Sequence, residues 1–251
     1  MKTKSSIIAF GAAVALALGN LSYAGHGHKH SWQYEGEHGP EHWGKVSAVC
    51  GSGKTQSPID IKGQTKTGAP SLDMQYHPVP SINVLNNGHT IKGSFGGEKN
   101  RLLVDGKPYK LLQLHFHTPS EHQIGGKLAS MELHLVHQNA DKELAVIGIM
   151  IEEGKENKAI KGIWEKMPKK VAKETESHET FNVASLLPKD KTFFYYMGSL
   201  TTPPCSEGVR WFVMKTPIHF SEEQIRKFHR IIGVSNRPLQ PLNGRTIFQG
   251  K

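Results

Sequence analysis

The stretch QLHFHTPSEH, from Gln113 to His122, begins with the alternation of polar and apolar residues that is typical of a β-strand with one face in a core. His115 and His117 are two residues apart, so their side chains project from the same face of such a strand. A second alternating segment, MELHLVHQN, runs from Met131 to Asn139. If the two strands pair, His134 completes a set of three imidazoles on one face.

Three imidazoles on one face predict a zinc site. Neutral imidazole is a good zinc ligand, and three protein ligands with an open fourth position are typical of a catalytic rather than a structural Zn²⁺. Gln113 and Glu132 each precede an expected ligand by two residues on the same face, where they can accept the second N–H of the ligand ring. A histidine pair in a strand also occurs as a plain surface feature, but the third histidine, which follows an acid, favours the metal site. His137 falls on the apolar face and is predicted to be a buried, hydrogen-bonded histidine.

The rest of the chain predicts a sheet-dominated α+β domain with few helices. The clearest helix is Glu222 to Ile232, because Ser221 and Gln224 form a capping-box pattern at its start, and a second helix is expected from Asn157 to Met167. Many short alternating segments are separated by Gly, Pro, Asn and Asp. The strand candidates are Ser81 to Leu85, Thr90 to Phe95, Leu102 to Val104, Tyr109 to His117, Ser130 to Gln138, Leu144 to Glu152, Phe193 to Tyr196 and Val209 to Lys215.

The first residues predict export. Lys2 and Lys4 precede an apolar run from Ile7 to Leu18, and small residues lie at the positions read by a signal peptidase before a cleavage expected after Ala24. We therefore expect residues 1–24 to be a signal peptide, residues 25–31 a flexible tail and residues 32–251 a single domain. The apolar run is too short to span a membrane, so a periplasmic or secreted protein is expected. His26, His28 and His30 in the tail either recruit divalent metal weakly or form an inert extension.

Cys50 and Cys205 are the only cysteines of the 251 residues. An even number of cysteines in an exported chain favours one disulfide, and the alternative is two buried free thiols. If the bridge forms, it anchors the Thr201–Cys205 segment to the first part of the domain.

The charge of the chain does not indicate a nucleic-acid partner. The formal net charge is +9, and the removal of residues 1–24, which contain two lysines and no acid, leaves +7 (9 − 2). The lysines are scattered, and the densest group, Lys166 to Lys173, is expected to be a solvated helix or loop. Without a nucleic-acid module, the charge relates to solubility and to weak attraction of anionic surfaces.

Several further motifs, in order along the chain, resemble the α-class carbonic anhydrases of exported bacterial type. Besides the two histidine strands they are Trp32 to Gly44 (WQYEGEHGPEHWG), Gln56 to Ile61 (QSPIDI), Asn86 to His89 (NNGH), Gly198 to Cys205 (GSLTTPPC), Glu207 to Ile218 (EGVRWFVMKTPI) and Asn236 to Arg245 (NRPLQPLNGR). The resemblance implies one domain built on a large, twisted, mostly antiparallel β-sheet with peripheral helices and a conical cleft that reaches one Zn²⁺. Paired cysteines near positions 50 and 205 are also a feature of bacterial members.

The resemblance also implies a reaction, the reversible hydration of carbon dioxide to bicarbonate and a proton. It assigns the orientation of zinc-bound hydroxide to Thr201 and Glu121, with Thr202 in a supporting position. It assigns the substrate wall to five apolar residues, which are Val136, Val146, Leu200, Val209 and Trp211.

For proton release, the resemblance makes His89 the shuttle, with Tyr34 and Asn87 organising the intervening water. Lys92 is a departure, since relatives usually carry a neutral amide at this place. A cation there is expected to lower the pKa of His89 or to disturb the water chain. Anions and aryl sulfonamides are the inhibitors that the resemblance implies, and the sequence leaves open whether the protein is a monomer or a homodimer.

Two other interpretations fit parts of the sequence. A cupin-type metal oxygenase uses a His-x-His motif followed by a glutamate ligand, for which Glu121 is the candidate, but the Pro-x-Gly element expected before its last histidine is missing ahead of His134. A non-enzymatic relative that binds partners through the same fold typically lacks a zinc histidine, whereas His115, His117 and His134 are all present.

Overall fold

The computed structural model describes residues 32–251. The predicted signal peptide, residues 1–24, and the histidine-containing tail, residues 25–31, lie outside the described residues. None of the helices in the described part is both long and apolar enough to cross a membrane.

The described residues form fourteen strands, twelve of which belong to one sheet. The strands are β1 (Asp60–Ile61), β2 (Leu72–Gln75), β3 (Ile82–Asn86), β4 (Ile91–Ser94), β5 (Arg101–Val104), β6 (Lys107–His117), β7 (Gln123–Ile124), β8 (Met131–Gln138), β9 (Leu144–Glu153), β10 (Lys173–Ser177), β11 (Phe193–Ser199), β12 (Glu207–Met214), β13 (Ile218–Phe220) and β14 (Phe248–Gly250).

The large sheet has the order β10-β3-β4-β6-β8-β9-β12-β11-β14. β5 pairs with the first half of β6 and with β2, while β13 lies beside β9. Neighbours are antiparallel except that β9 runs parallel to β12 and β13, and β1 and β7 form a separate parallel pair. The predicted sheet-dominated, mostly antiparallel fold is therefore confirmed.

All eight predicted strands are present, and their ends differ from the prediction by at most three residues. The six strands that the sequence did not reveal are β1, β2, β7, β10, β13 and β14, which contain only two to five residues each. Such segments are too short to display a period of two. β10 is also mostly exposed and pairs with β3 at the edge of the sheet, so its sequence, KETES, carries no core pattern.

Three α-helices lie within the described residues: α1 (Ala48–Ser52), α2 (Lys161–Lys166) and α3 (Glu222–Ile232). α3 has the predicted bounds, and its capping box is formed by reciprocal hydrogen bonds between Ser221 and Gln224. The helix expected from Asn157 to Met167 is shorter than predicted. The Asn157 side chain caps a 3-10 turn at Lys158–Ile160, and only Lys161–Lys166 is α-helical.

The main core lies on one face of the sheet, where Leu114, Phe116, Leu133 and Leu135 pack against the helices. The opposite face carries a smaller group that we call the second apolar cluster. Its buried members include Val136, Val146, Val209 and Trp211, and the partly buried Leu200 packs against them.

A β-bulge in β6 determines which face of the sheet the histidines occupy. The register between β6 and β8 shifts between Leu111 and Gln113. In an unbroken strand, residues 111, 113 and 115 would share one face, because side chains alternate. Instead Leu111 and Leu114 both lie in the main core, so the extra residue turns Gln113 and His115 to the face of the second apolar cluster.

His137 is buried on the core side of β8, as predicted. Its Nδ1–H donates to the carbonyl oxygen of Ala145 at 3.2 Å, and in the neutral ring Nε2 then accepts from the hydroxyl of Tyr76 at 2.8 Å. Burial lowers the pKa of His137 to about 4 despite these contacts, so the ring is neutral at neutral pH.

We expect this ring to make the domain less stable in mild acid. The pKa of about 4 in the folded state lies below the ordinary histidine value of about 6.5, so the unfolded chain takes up the proton first as the pH falls. The free energy of unfolding should therefore decrease between these two pH values, by about 3 kcal/mol in total. Urea unfolding at several pH values should show a smaller loss for His137→Gln than for the wild type. The exposed His219→Gln serves as the control, and the same pH dependence in all three proteins would contradict the prediction.

Candidate metal centre

The three histidines expected to bind zinc come together on the sheet face that carries the second apolar cluster. One ring nitrogen of each lies within 4.8 Å of the other two. The sheet produces this arrangement directly, because β6 and β8 pair His115 opposite His134, and His117 follows two residues later on the same face. His117 and His134 are buried, and His115 is half buried.

Each of these rings has its outer nitrogen beside an oxygen that can only accept. The contacts are His115 Nδ1 to Gln113 Oε1 at 2.8 Å, His117 Nδ1 to the Ser235 carbonyl oxygen at 2.6 Å and His134 Nε2 to Glu132 Oε1 at 2.8 Å. An acceptor at this position fixes the proton on the outer nitrogen. The inner nitrogens of the neutral rings therefore carry lone pairs, and all three point into the same small space.

This convergence of lone pairs fits a cation. His134 Nδ1 and His115 Nε2 are 3.3 Å apart, and neither has a proton to donate to the other. The separation equals the roughly 3.3 Å expected for two nitrogens bound at 2.0–2.1 Å to one tetrahedral Zn²⁺. Within the described residues, the buried His117 Nε2 has no hydrogen-bond partner. The donor set therefore fits zinc with three nitrogen ligands.

The protonation state of the rings agrees with a ligand role. Burial is the main influence on all three and lowers their pKa values, that of His117 to about 4. The rings are thus neutral at neutral pH, as zinc ligands must be.

Glu132 links the metal centre to a buried hydrogen-bond network. Its Oε2 accepts the backbone N–H groups of Glu121 and His122 at 2.9 and 2.8 Å, and its Oε1 contacts His122 Nδ1 and His134 Nε2, both at 2.8 Å. Burial alone would raise the pKa of Glu132, but His122 and His134 outweigh burial and hold this pKa well below its usual range. The carboxylate is therefore ionised and accepts all four hydrogen bonds.

The sequence did not single out His122, which continues this network. When the neutral His122 ring donates Nδ1–H to Glu132, its Nε2 accepts from Tyr196, whose hydroxyl lies 2.6 Å away, and the Ser57 hydroxyl lies 2.7 Å from that of Tyr196. His122, Glu132 and His134 also form a compact group of potential metal ligands. The facing atoms of these three side chains are already hydrogen-bonded to one another. The group therefore orients His134 rather than binding a second ion.

Glu121 and Thr201, the pair expected beside the metal, are both buried. The backbone N–H of Arg237 donates to Glu121 Oε1 at 2.9 Å. Burial raises the pKa of Glu121 to about 7, against the lowering influence of His134, Thr201 and the Arg237 N–H. Glu121 Oε2 lies 3.5 Å from His117 Nε2, and Glu121 is outside the three-nitrogen group, whereas the cupin interpretation would make it a ligand.

The residues expected to form the substrate wall belong to one structure, the second apolar cluster defined above. Trp211 packs edge-on against the His134 ring, with ring centroids 4.8 Å apart. Gly148, opposite His134 on β9, allows this close packing. A Cβ atom there would lie 2.9 Å from Glu132 Oε1, so a larger residue would displace the carboxylate that contacts His134, and it would be in van der Waals contact with Trp211 at 3.6 Å.

The Thr201–Cys205 loop is fastened at its end. The predicted disulfide between Cys50 and Cys205 is confirmed, with the two Cα atoms 5.0 Å apart. The Thr202 carbonyl accepts from the backbone N–H of Cys205 at 2.8 Å, and the Ser47 hydroxyl donates to the Pro204 carbonyl at 2.9 Å. Thr202 is half buried in this turn.

His89 lies in the turn between β3 and β4 and is half exposed. Asn87 Oδ1 accepts the backbone N–H groups of His89 and Thr90 at 2.9 and 2.8 Å, so this side chain holds the turn and has only its amide N–H groups left for water. The His89 ring stacks on Trp32, with centroids 3.7 Å apart, and Tyr34 lies edge-on at 6.4 Å. Burial lowers the pKa of His89 and raises that of Tyr34. The sequence did not single out Trp32 as the partner of His89.

Comparison with known proteins identifies relatives of this chain. The family model described as eukaryotic-type carbonic anhydrase matches residues 38–251. A carbonic anhydrase of Neisseria gonorrhoeae is 40% identical over 242 residues, which cover 95% of each chain. One of Klebsiella pneumoniae is 43% identical over 223 residues, 87% of this chain and 90% of the relative. The solved α-carbonic anhydrase of Thermovibrio ammonificans, in complex with the inhibitor sulfanilamide, is similar at a TM-score of 0.83 and 42% identity, over 87% of this chain and 98% of that one.

Proposed function

Because this chain belongs to the eukaryotic-type carbonic anhydrase family, we propose that it is a zinc lyase that catalyses the reversible hydration of carbon dioxide to bicarbonate and a proton. The observation that carries the proposal is the convergence of three unprotonated imidazole nitrogens beside an apolar cluster. Such a site can hold a divalent cation beside apolar side chains that suit a small, uncharged substrate.

His115, His117 and His134 would hold one Zn²⁺, and Gln113, Glu132 and the Ser235 carbonyl would keep the three rings in the required tautomers. When bound, zinc lowers the pKa of a coordinated water to about 7, a value established for carbonic anhydrases as a class, and so supplies hydroxide at neutral pH.

The second apolar cluster would bind carbon dioxide. The substrate is small and uncharged, so it needs a dry wall beside the metal rather than hydrogen-bond donors. Val136, Val146 and Val209 together with Leu200 and Trp211 supply this wall. Thr202, in the half-buried turn that follows Leu200, would support the substrate from the loop side.

Thr201 and Glu121 would orient the attacking group. With Glu121 ionised, its carboxylate would accept a hydrogen bond from the Thr201 hydroxyl. The threonine oxygen would then be free to accept a hydrogen bond from the attacking hydroxide. That arrangement directs an oxygen lone pair toward the carbon atom of the substrate. The backbone N–H of Arg237 donates to Glu121 Oε1 and so holds the carboxylate in its orientation.

His89 would carry the released proton to solvent, through water organised by Tyr34 and Asn87. It is half exposed, and its imidazole can both accept and release a proton near neutral pH. Stacking on Trp32 holds the ring at the surface end of this path.

Removal of this imidazole should slow turnover without affecting the carbon dioxide step. We expect His89→Ala to lower the maximal hydration rate by about 100-fold, with kcat/KM for carbon dioxide largely unchanged. Added imidazole should restore much of this rate, as measured in stopped-flow assays. Trp32→Phe, which keeps an aromatic ring beside His89, is the matched control and should retain most of the turnover. A His89→Ala enzyme with wild-type turnover in weak buffer would remove the shuttle assignment.

The site should also bind anions and aryl sulfonamides, since an open metal vertex accepts both. The complex of the Thermovibrio ammonificans relative with sulfanilamide supports this proposal. We further propose that the protein is exported to the periplasm or secreted, and the disulfide between Cys50 and Cys205 supports an oxidising compartment.

Zinc analysis combined with a stopped-flow hydration assay tests the proposed function. We expect one zinc ion per chain, hydration of carbon dioxide, loss of activity on removal of the metal with a chelator and recovery when zinc is returned. Protein that holds zinc but does not hydrate carbon dioxide would instead support the partner-binding relative.

A further inference from the structure

Lys92 lies on β4, on the metal-centre face of the sheet. β4 runs antiparallel to β6 and places Lys92 directly opposite His115, so the two Cβ atoms are about 5 Å apart and the side chains share a face. The residues on either side of Lys92 point the other way. Ile91 is in the main core, and a Cβ atom at Gly93 would lie 3.3 Å from Leu114.

The charge of Lys92 is not neutralised within residues 32–251. Its ammonium makes no ion pair or hydrogen bond in this part of the chain, whereas Lys107 and Lys110 on the neighbouring strand both pair with carboxylates. Lys92 is half buried, so its charge is screened less than that of a solvated lysine.

We propose that Lys92 is an anion-attracting residue at the metal centre, which strengthens the binding of bicarbonate and of other small monovalent anions. The inference rests on the proposed function, because it assumes that the anion binds to the metal ion. A lysine opposite His115 offers the same anion a second positive charge from the wall of the site. Carbon dioxide carries no charge, so its binding should not depend on Lys92. A neutral amide side chain at this position could not make this distinction.

The proposal predicts a change in anion affinity that depends on salt. A unit charge several ångströms from a bound anion in a half-buried site should change its affinity by about 3- to 10-fold. We therefore expect the zinc-loaded Lys92→Gln protein to bind thiocyanate about 3- to 10-fold more weakly than the wild type. The difference should shrink in high salt because a half-exposed charge is partly screened.

Isothermal titration with thiocyanate at low and at high salt provides the measurement, with zinc content and thermal midpoint recorded for every protein. Lys99→Gln is the matched control, because Lys99 is exposed in the turn after β4 and its loss changes the net charge equally. Lys92→Arg should keep the affinity, and Lys92→Met provides a second neutral side chain of similar length. In the Lys92 variants, kcat/KM for carbon dioxide should change less than the thiocyanate affinity, because the substrate carries no charge, whereas a general disturbance of the fold would lower both.

The outcomes separate this inference from the proposed function. If wild type holds zinc and binds thiocyanate but Lys92→Gln and Lys92→Met bind it equally well, the role of Lys92 is refuted and the enzyme remains. If Lys99→Gln weakens binding as much as Lys92→Gln, the effect belongs to net charge and the role of Lys92 is again refuted. If the wild type holds no zinc or does not bind thiocyanate, the proposed function fails, and the inference about Lys92 fails with it.

Discussion

Replacement of His134 by alanine should abolish zinc binding and reduce carbon dioxide hydration by more than about 1,000-fold, because the rate depends on the metal. Only His115 and His117 remain as ligands in this variant. Two imidazoles bind zinc more weakly than three, so the ion should be lost on dialysis. The change also leaves the ionised Glu132 with one hydrogen-bond donor fewer in a buried place. Zinc per chain after dialysis and the stopped-flow hydration rate are the two measurements.

Two variants keep this result interpretable. His134→Gln places its amide N–H near the position of the histidine Nε2. It can therefore still donate to Glu132 but offers no imidazole ligand, so it should fold better than His134→Ala and still lose zinc. His219→Ala removes an exposed histidine from β13 and should change neither measurement. A folded His134→Ala protein that keeps one zinc ion per chain and a tenth or more of its activity would contradict the three-nitrogen site.

The ligand strands were readable from the sequence because their information is local. The spacing of His115 and His117 fixes their common face, and Gln113 lies two residues earlier on the same face. The outer partner of His117 was not readable. It is the backbone carbonyl of Ser235, 118 positions along the chain, and any residue type supplies a carbonyl oxygen. Contacts of this kind depend on tertiary structure and leave no mark on the sequence.

The bulge in β6 shows a different limit. The alternation from Gln113 to His117 predicted the correct relative faces, but Tyr109 and Leu111, in the first half of the same predicted strand, are out of phase with it. Whether a strand continues in phase or gains an extra residue depends on its partner strands. The sequence thus predicted one continuous strand, whereas the structure shows an extra residue between its two halves.

The resemblance and the residues contributed different parts of the site. Alternation alone predicted the three zinc histidines and Glu132, while the prediction of Thr201 and Glu121 depended on the family resemblance. His122 was missed, although it lies inside the motif that contains His115. Its signal is weak, because a histidine in a Ser-Glu-His turn is equally well explained as a loop residue, and only the contact with Glu132 distinguishes the two.

Loss of the Cys50–Cys205 disulfide should produce the largest change in stability. The cysteines are separated by 155 positions, and closure of so long a loop lowers the entropy of the unfolded chain by an amount worth about 5 kcal/mol at most. For a domain of this size we expect the thermal midpoint of Cys50→Ala/Cys205→Ala to fall by about 10–20 °C. Alanine is the better replacement, because Cys205 is fully buried and a serine hydroxyl there would add a desolvation penalty.

The same variant should also lose activity below its unfolding temperature, since the bridge ties the loop that contains Thr201 to α1. Arg237 and the Ser47 contact still hold this region, so the loss should be partial and should appear in kcat/KM more than in zinc content. Calorimetry and hydration assays with and without a thiol reductant separate the two effects. Reductant should destabilise the wild type toward the double variant and leave the double variant unchanged. Equal thermal midpoints for the oxidised wild type and the double variant would show that the remaining contacts suffice, and would refute the stabilising role of the bridge.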